Sequence, residues 1–340
     1  MRGLVLQDFG DLVLTEMPER MPRTGEVRVR VVATGVCGSD LHGYTGENGR
    51  RSPGQIMGHE MYGLIEAVGD LGTEVSLPVG TTVTMNPVVA CGACASCARG
   101  RQQHCRAKQV IGVNKERPGS FAEYIVMPAT NAVRIAEGLP NGHGALVEPL
   151  AVGYHAVMRA RLSAADRLLV IGGGPIGQAV ILSARRAGVS EIVVSEPHQG
   201  RRDLCSRLGA VTVNPAGGDL KDQIAEVFGA ATAAIDAVGV SATLRDALAV
   251  TDLGARIVLV GMGAIRLDLA AFDISVGERE LIGSFTYSAA EFGHVAEWVS
   301  GQPAGLEYLL ETPASLADGP DVFRTMAAGE YPAGKVLLFS

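Results

Sequence analysis

From Glu26 the chain reads Glu-Val-Arg-Val-Arg-Val-Val, charged and apolar side chains in alternation, which predicts a β-strand with one wet face. Residues 62–68, 81–85 and 122–126 are further β segments of this kind, separated by Gly-, Pro- and Asp-rich turns, so the first half predicts a compact barrel-like β domain. The style changes near Glu148. There Val-Glu-Pro-Leu-Ala-Val-Gly-Tyr-His-Ala-Val-Met-Arg-Ala opens with Pro near a helix start and carries an apolar face, predicting a bridging helix from Val147. Beyond it, strands at 168–171, 191–195, 232–236, 256–260 and 281–285 alternate with helices reaching about Ala187, Arg207 and Val250. That rhythm belongs to a parallel sheet covered by helices. The closing Gly334-Lys-Val-Leu-Leu-Phe reads as a last strand.

The first of those later strands runs straight into Gly172-Gly173-Gly174-Pro175-Ile176-Gly177 and then an apolar helical pattern from Gln178. Gly172 permits a tight turn, Gly174 clears space for a pyrophosphate, and Gly177 lets the helix pack close to the sheet. Glu196 ends the next strand, where a carboxylate accepts from the adenosine-ribose hydroxyls of a dinucleotide. The same carboxylate repels the extra phosphate of NADP, which makes NAD the expected cofactor. Arg201 and Arg202 just beyond pull the other way, because guanidinium groups there suit a 2′-phosphate. The expected cofactor set is Gly172, Gly174, Pro175, Ile176, Gly177, Glu196 and Arg201, completed by Val260, Met262, Ser284 and Phe285 at the ends of the last two strands.

At 340 residues with 44 glycines and 47% hydrophobic residues, the chain is long enough for two cores and rich in tight strand-to-helix turns. A net charge of −7 with no basic stripe excludes general nucleic-acid binding, which leaves a small molecule as the partner. No apolar run reaches the roughly 18 to 20 residues a membrane helix needs. The opening Met-Arg-Gly-Leu-Val-Leu-Gln-Asp lacks the layout of an export signal, so a cytoplasmic location is expected.

Four of the six cysteines, Cys91, Cys94, Cys97 and Cys105, fall within fifteen residues. That spacing suits four thiolates around one zinc ion, and a lobe of about residues 88–108 would be stapled by it. Two disulfides or an iron–sulfur cluster are the alternatives, the first requiring an oxidising compartment. His104 is a loop side chain or a substitute ligand. Cys205 reads as a buried helix residue. Cys37 is left over, in Gly35-Val-Cys-Gly-Ser-Asp-Leu-His42, with Gly58-His59-Glu60 downstream and Glu148 before the bridging helix. A catalytic zinc needs three protein ligands and an open position. Cys37 and His59 supply two, and either Glu60 or Glu148 the third. Zinc brings the pKa of a bound hydroxyl toward neutrality, which opens an alcohol carbon to hydride loss.

Cys37-Gly-Ser-Asp-Leu-His, Gly58-His-Glu, the Cys91 to Cys105 run, Glu148-Pro-Leu and the Gly172 to Gly177 loop stand in the order found in zinc-dependent medium-chain alcohol/polyol dehydrogenases. The chain resembles that family over nearly its whole length, and most of all its sorbitol, 2,3-butanediol and threonine dehydrogenase branch, since Glu148 replaces a cysteine ligand of the liver-type enzymes. The resemblance implies a GroES-like β-barrel catalytic domain (1–150), a Rossmann doubly wound parallel-sheet domain (151–288) and a return to the first domain (289–340). It further implies two zinc ions per chain, substrate and NAD meeting between the domains, Glu60 and Glu148 exchanging at the metal, and a proton relay from Ser39 through the cofactor ribose to His42. A homo-oligomer, dimer or tetramer, is implied as well.

The loop 43–57 joins two of the zinc ligands and is expected to shape the pocket mouth, with Tyr44, Glu47, Arg50 and Arg51 as its polar candidates. A polar wall favours polyols, vicinal diols or amino alcohols such as threonine over simple alcohols. Arg50 and Arg51 would suit a sugar phosphate, or are solvated loop charges. A non-catalytic NAD(H) sensor using zinc only for architecture is the reading from another class. The second donor constellation around Cys37 speaks for an enzyme.

Overall fold

In the computed structural model, which describes residues 1–47, 49–72 and 76–340, the alternating segment at Glu26 forms the strand Glu26–Gly35. Its antiparallel partners are Glu60–Val68, Tyr124–Pro128 and Leu337–Phe339. The sheet continues through Thr82–Met85 to Ala132–Arg134 on one side and to Ala314–Ser315 on the other. These strands belong to one compact unit, Met1–Glu148 with Tyr287–Ser340. The closing strand rejoins this sheet, Leu337 lying opposite Gly35 and Phe339 opposite Ala33.

The strand's wet face is only half wet. Arg30 is exposed, as alternation predicts, but Arg28 is buried. Its Nη1 donates to Glu19 at 2.9 Å, its Nε donates to Glu66, and its guanidinium lies 4.6 Å over the Tyr124 ring. A register shift between Arg28 and Val29 disturbs the simple alternation at that point.

A second core in this unit, including Leu4, Leu41, Met57, Phe121, Phe323 and Leu338, packs the helix Gly38–Thr45 into place. Tyr44 belongs to that core rather than to a pocket mouth. It is 6% exposed, its ring tilts against Phe323 at 5.5 Å, and its hydroxyl donates to the Gly10 carbonyl at 2.6 Å.

The other unit, Pro149–Thr286, carries a six-stranded parallel sheet. Its order is Val211–Val213, Glu191–Ser195, Arg167–Ile171, Ala231–Asp236, Thr251–Leu259, Glu280–Gly283. The first strand in sequence is central and the order reverses beside it, the doubly wound Rossmann arrangement with its ligand edge at the strands' carboxyl ends. Helix Pro175–Arg186 follows the central strand. The strand Val211–Val213 and the helix Ala271–Val276 are too short to show a period, whereas the helix Leu220–Phe228, with Leu220, Ile224, Val227 and Phe228 at helical spacing behind an Asp219 cap, was legible in the sequence and is an addition to the expected elements. The strand expected at 256–260 begins at Thr251, because Thr251 already pairs with Ala231. The last strand ends at Gly283 rather than at Phe285, and Thr286 turns away with φ +53°.

Candidate metal centre and dinucleotide site

Helix Gly38–Thr45 starts at Cys37, whose extended backbone caps it. Asp40, three residues on, closes the cap by accepting the Cys37 N–H through Oδ2 at 3.3 Å. Its other oxygen, Oδ1, lies 2.9 Å from Arg51 Nη2, which donates to it, and 3.4 Å from His59 Nδ1. With Nδ1 turned toward a carboxylate, the Nε2 atom of His59 remains for a metal. Arg51 is 3% exposed and its ion pair with Asp40 is buried, so it is not the solvated loop charge expected. Asn48, in the same loop, lies outside the described residues.

The donor atoms of Cys37, His59 and Glu60 all lie within 4.8 Å of one another. Ser39 Oγ donates to Cys37 Sγ at 3.4 Å. Glu60 is fully buried at the start of its strand and shares its carboxylate with Lys335. Lys335 Nζ donates to Oε1 at 2.8 Å and stands 2.7 Å from Oε2, an oxygen with no hydrogen bond among the described residues. Lys335, from the returning C-terminal segment, escaped the sequence reading because a lone lysine before a strand carries no motif. Glu148, second residue of helix Val147–Ala160, stands outside the 4.8 Å set and accepts from the Tyr287 hydroxyl at 2.7 Å. Tyr287 is buried and was also missed.

The electrostatics fit a cation. Burial pushes the Glu148 carboxyl up to about 7, with Glu60 adding to the shift and His59 and Lys335 opposing it. Burial works against the His59 imidazolium, yet Asp40 and Cys37 beside it lift its pKa well above the ordinary value. Burial also raises the Tyr287 hydroxyl well above its usual range, and Glu148 adds to this. Against the desolvation of Asp40, His59 and Arg51 hold its carboxyl down at about 2. A thiol, an imidazole and a carboxylate whose Oε2 makes an ion pair but no hydrogen bond among the described residues converge here, the donor set of a three-ligand zinc site.

His42 lies on the same helix, half-exposed, with Nδ1 2.8 Å from Glu47 Oε2. Glu47 therefore faces His42, and Arg50 is exposed.

The four remaining lobe cysteines surround a point near the helix Ala95–Ala98. Their sulfurs lie within 4.8 Å of one another, Cys94 to Cys97 at 3.5 Å and Cys91 to Cys97 at 3.9 Å. Those separations match the about 3.8 Å between thiolates tetrahedrally bound to zinc at bond lengths near 2.3 Å. All four are free thiols. The Ala93 and Cys94 amides aimed at Cys91 draw its thiol down to about 6. Burial and the neighbouring Cys94 push Cys97 to about 11.

In the second unit the glycine loop needs its glycines. Gly172 has φ +94°, and a Cβ on Gly177 would lie 1.9 Å from the Gly172 carbonyl. Gly174 caps the helix that opens with Pro175 and Ile176, and a Cβ there would meet nothing nearer than Arg201 Nη1, at 3.8 Å. Glu196 is buried, accepting the Gly173 N–H at 2.7 Å and the His198 N–H at 2.8 Å. Arg202 Nη1 is taken up by the carbonyls of Glu196 and Pro197, at 2.9 and 2.6 Å. Val260 and Met262 follow the strand Thr251–Leu259, and Ser284 and Phe285 follow Glu280–Gly283, so all lie at the carboxyl edge with Gly172 and Glu196. Cys205 is buried beneath the loop, its sulfur 3.6 Å from the Gly173 carbonyl.

Residues 23–137 match the family model of the alcohol dehydrogenase GroES-like domain and residues 175–301 that of the zinc-binding dehydrogenases. The chain is 33% identical over 308 residues to 2-dehydro-3-deoxy-L-galactonate 5-dehydrogenase of Pseudoalteromonas atlantica, covering 90% of this chain and 89% of that one. It superposes with TM-score 0.92 on the NADH complex of rspB from Escherichia coli CFT073, described as a short chain alcohol dehydrogenase, at 29% identity over 100% and 99% of the two chains. A zinc-binding dehydrogenase of Sinorhizobium meliloti 1021 bound to NADP gives TM-score 0.88, with 29% identity over 100% and 99%.

Proposed function

The chain belongs to the zinc-dependent medium-chain alcohol/polyol dehydrogenase family, and from that premise we propose that it oxidises a secondary alcohol of a polyol, sugar alcohol or vicinal diol to the ketone, with NAD as hydride acceptor. The observation that carries the reading is the convergence of half-buried Cys37 with buried His59 and Glu60 beside Glu148, separate from the four-cysteine lobe. Cys37, His59 and one of Glu60 and Glu148 hold a catalytic zinc, and Cys91, Cys94, Cys97 and Cys105 a second, architectural one. A zinc ion at the first site contributes Lewis acidity, which lowers a substrate hydroxyl's pKa toward neutrality. Ser39 Oγ, next to Cys37 Sγ, is the first group of the chain positioned to pass on the hydroxyl proton. His42 is the solvent end of that route, its Nδ1 occupied by Glu47 and its Nε2 left to take the proton.

NAD rather than NADP is supported by the buried Glu196 carboxylate and by Arg202, whose guanidinium is engaged with backbone carbonyls. Arg201 reaches over Gly174 and fits a pyrophosphate contact. A homo-oligomer, dimer or tetramer, is supported by the outermost strand Glu280–Gly283 and by exposed Phe272 and Val276 in the preceding helix. Among the described residues no helix is long and apolar enough to cross a membrane, and a cytoplasmic location remains part of the proposal.

A second reading, a polyhydroxylated acid as substrate, is favoured by the named activity of the Pseudoalteromonas relative on a sugar acid. Threonine-type amino alcohols and sugar phosphates are the other arms of the test. Reduction of NAD and NADP is followed at 340 nm over polyols, diols, sugar acids, threonine and sugar phosphates. Turnover of polyols or diols with NAD is expected, and turnover confined to threonine or to NADP would overturn the reading.

A further inference from the structure

Arg51 is the outer member of a buried chain that ends at the metal centre. Its Nη2 donates to Asp40 Oδ1, and the Asp40 carboxylate touches two of the proposed metal ligands, the Cys37 N–H through Oδ2 and His59 Nδ1 through Oδ1. One carboxylate thus orients a thiol from a helix start and an imidazole from a strand start. Its own orientation rests on Arg51. The guanidinium is otherwise poorly served: Arg51 is 3% exposed, and its Nε and Nη1 are buried with no hydrogen-bond partner among the described residues. Burying two unpaired guanidinium nitrogens is a desolvation cost, and what offsets it is the single bond to Asp40, whose buried carboxylate would lose a charged partner without Arg51. The fold also makes room for it. Gly43 sits in the helix Gly38–Thr45, and a Cβ on it would lie 2.2 Å from Arg51 Cγ.

We propose that Arg51 is a positioning residue of the metal centre, acting through Asp40 to fix Cys37 and His59, and that Gly43 is required to let the Arg51 stem reach it. This rests on the metal-site reading above. Outer partners of this kind change metal affinity about 10- to 100-fold when removed. Lysine keeps the charge but lacks the planar guanidinium whose Nη2 reaches Asp40 Oδ1, so it is not a conservative replacement here.

The test is metal retention, measured as zinc per chain after dialysis against graded chelator, together with the visible absorption of the cobalt-substituted protein. Arg51→Met is expected to weaken retention of the second equivalent about 100-fold and Arg51→Lys about 10-fold, with an altered cobalt spectrum. Gly43→Ala removes no charged group and is otherwise favourable in a helix, yet it is expected to reproduce the Arg51→Lys loss by displacing the stem. In an Asp40→Asn background, Arg51→Met should add nothing, because the two act as one unit. If Arg51→Met does not fold, Arg51→Lys and Gly43→Ala decide alone, the lobe's own equivalent reporting that the chain is intact. Wild-type retention and spectrum in both, or an undiminished Arg51 effect without Asp40, would overturn the inference. A wild-type chain that never holds metal beyond the lobe would instead sink the metal-site reading on which it rests.

Discussion

The lobe takes all four of its donors from residues 91–105, with sulfurs that range from exposed at Cys91 to buried at Cys105. The other centre gathers Cys37, His59 and Glu60, with Glu148 beyond, from three distant stretches and surrounds them with buried Asp40, Arg51, Tyr287 and Lys335. Four like thiolates close a tetrahedron and leave no position for a substrate, which is what an architectural site needs. A mixed set with two carboxylates, one tied to Lys335 and one to Tyr287, leaves room for exchange and for a guest ligand. The difference teaches that donor count alone does not separate stability from chemistry. The surroundings of the donors do.

The hardest test of that contrast removes one thiol from each. Cys37→Ala is expected to abolish NAD-linked oxidation, a loss beyond the about 100-fold typical of outer partners, while the melting temperature stays near wild type. Turnover surviving in this variant would sink the catalytic assignment. Cys97→Ser should do the reverse, lowering the melting temperature by about 10 °C or more with any loss of activity following the loss of folded protein. Normal melting with selectively altered turnover would erase the distinction.

Protons sharpen it further. Folding with Glu148 at about 7, against an ordinary 4.5, means the metal-free native state binds an extra proton between those values. Its stability therefore rises as pH falls from about 7 toward 4.5, by up to about 3 kcal/mol before relaxation is allowed for. Asp40, held at about 2 against 3.8, acts oppositely, its contribution being present above 3.8 and lost as pH falls toward 2. The metal-free chain is thus expected to be more stable at pH 5.5 than at 7.5. Metal loading must displace protons from His59 and Glu148, so zinc affinity at this centre should rise with pH over the same range. Denaturant titrations of chelated and zinc-loaded protein check both signs; a metal-free chain less stable at pH 5.5 contradicts the assignment.

The legible parts of the molecule were those set by local spacing. Gly172, Gly174 and Gly177 between a strand and a helix, and four cysteines in a short run, announce their geometry because neighbours in sequence are neighbours in space. Cys37, His59 and Glu148 were found through the order of motifs rather than through any period. What stayed hidden came from long-range packing. Lys335 lies 275 residues from Glu60 and Tyr287 lies 139 from Glu148, so no window of sequence contains either pair. Arg51 and Tyr44 misled in the other direction, since a polar loop between ligands reads as solvent-facing until Phe323 and Asp40 are seen to cover it.

At the dinucleotide site, Glu196→Ser should raise activity with NADP relative to NAD by about tenfold, through loss of like-charge repulsion against a 2′-phosphate. An unchanged ratio would move the source of cofactor choice elsewhere. The smallest effect belongs to Glu47, which meets His42 at 2.8 Å with both side chains largely exposed, 45% and 64%. An exposed pair of this kind is worth well under or about 1 kcal/mol, so Glu47→Gln should reduce kcat about two- to fivefold. Because Glu47 touches neither donor cluster, metal content and melting should not move, and the loss should shrink in buffers of small general bases that replace the histidine. That pattern ties the buried centre to solvent by a proton route, a connection the four-cysteine lobe has no use for. A kcat indifferent to Glu47 and to buffer would mean His42 needs no orienting partner, and the contrast between the clusters would then rest on the metal donors alone.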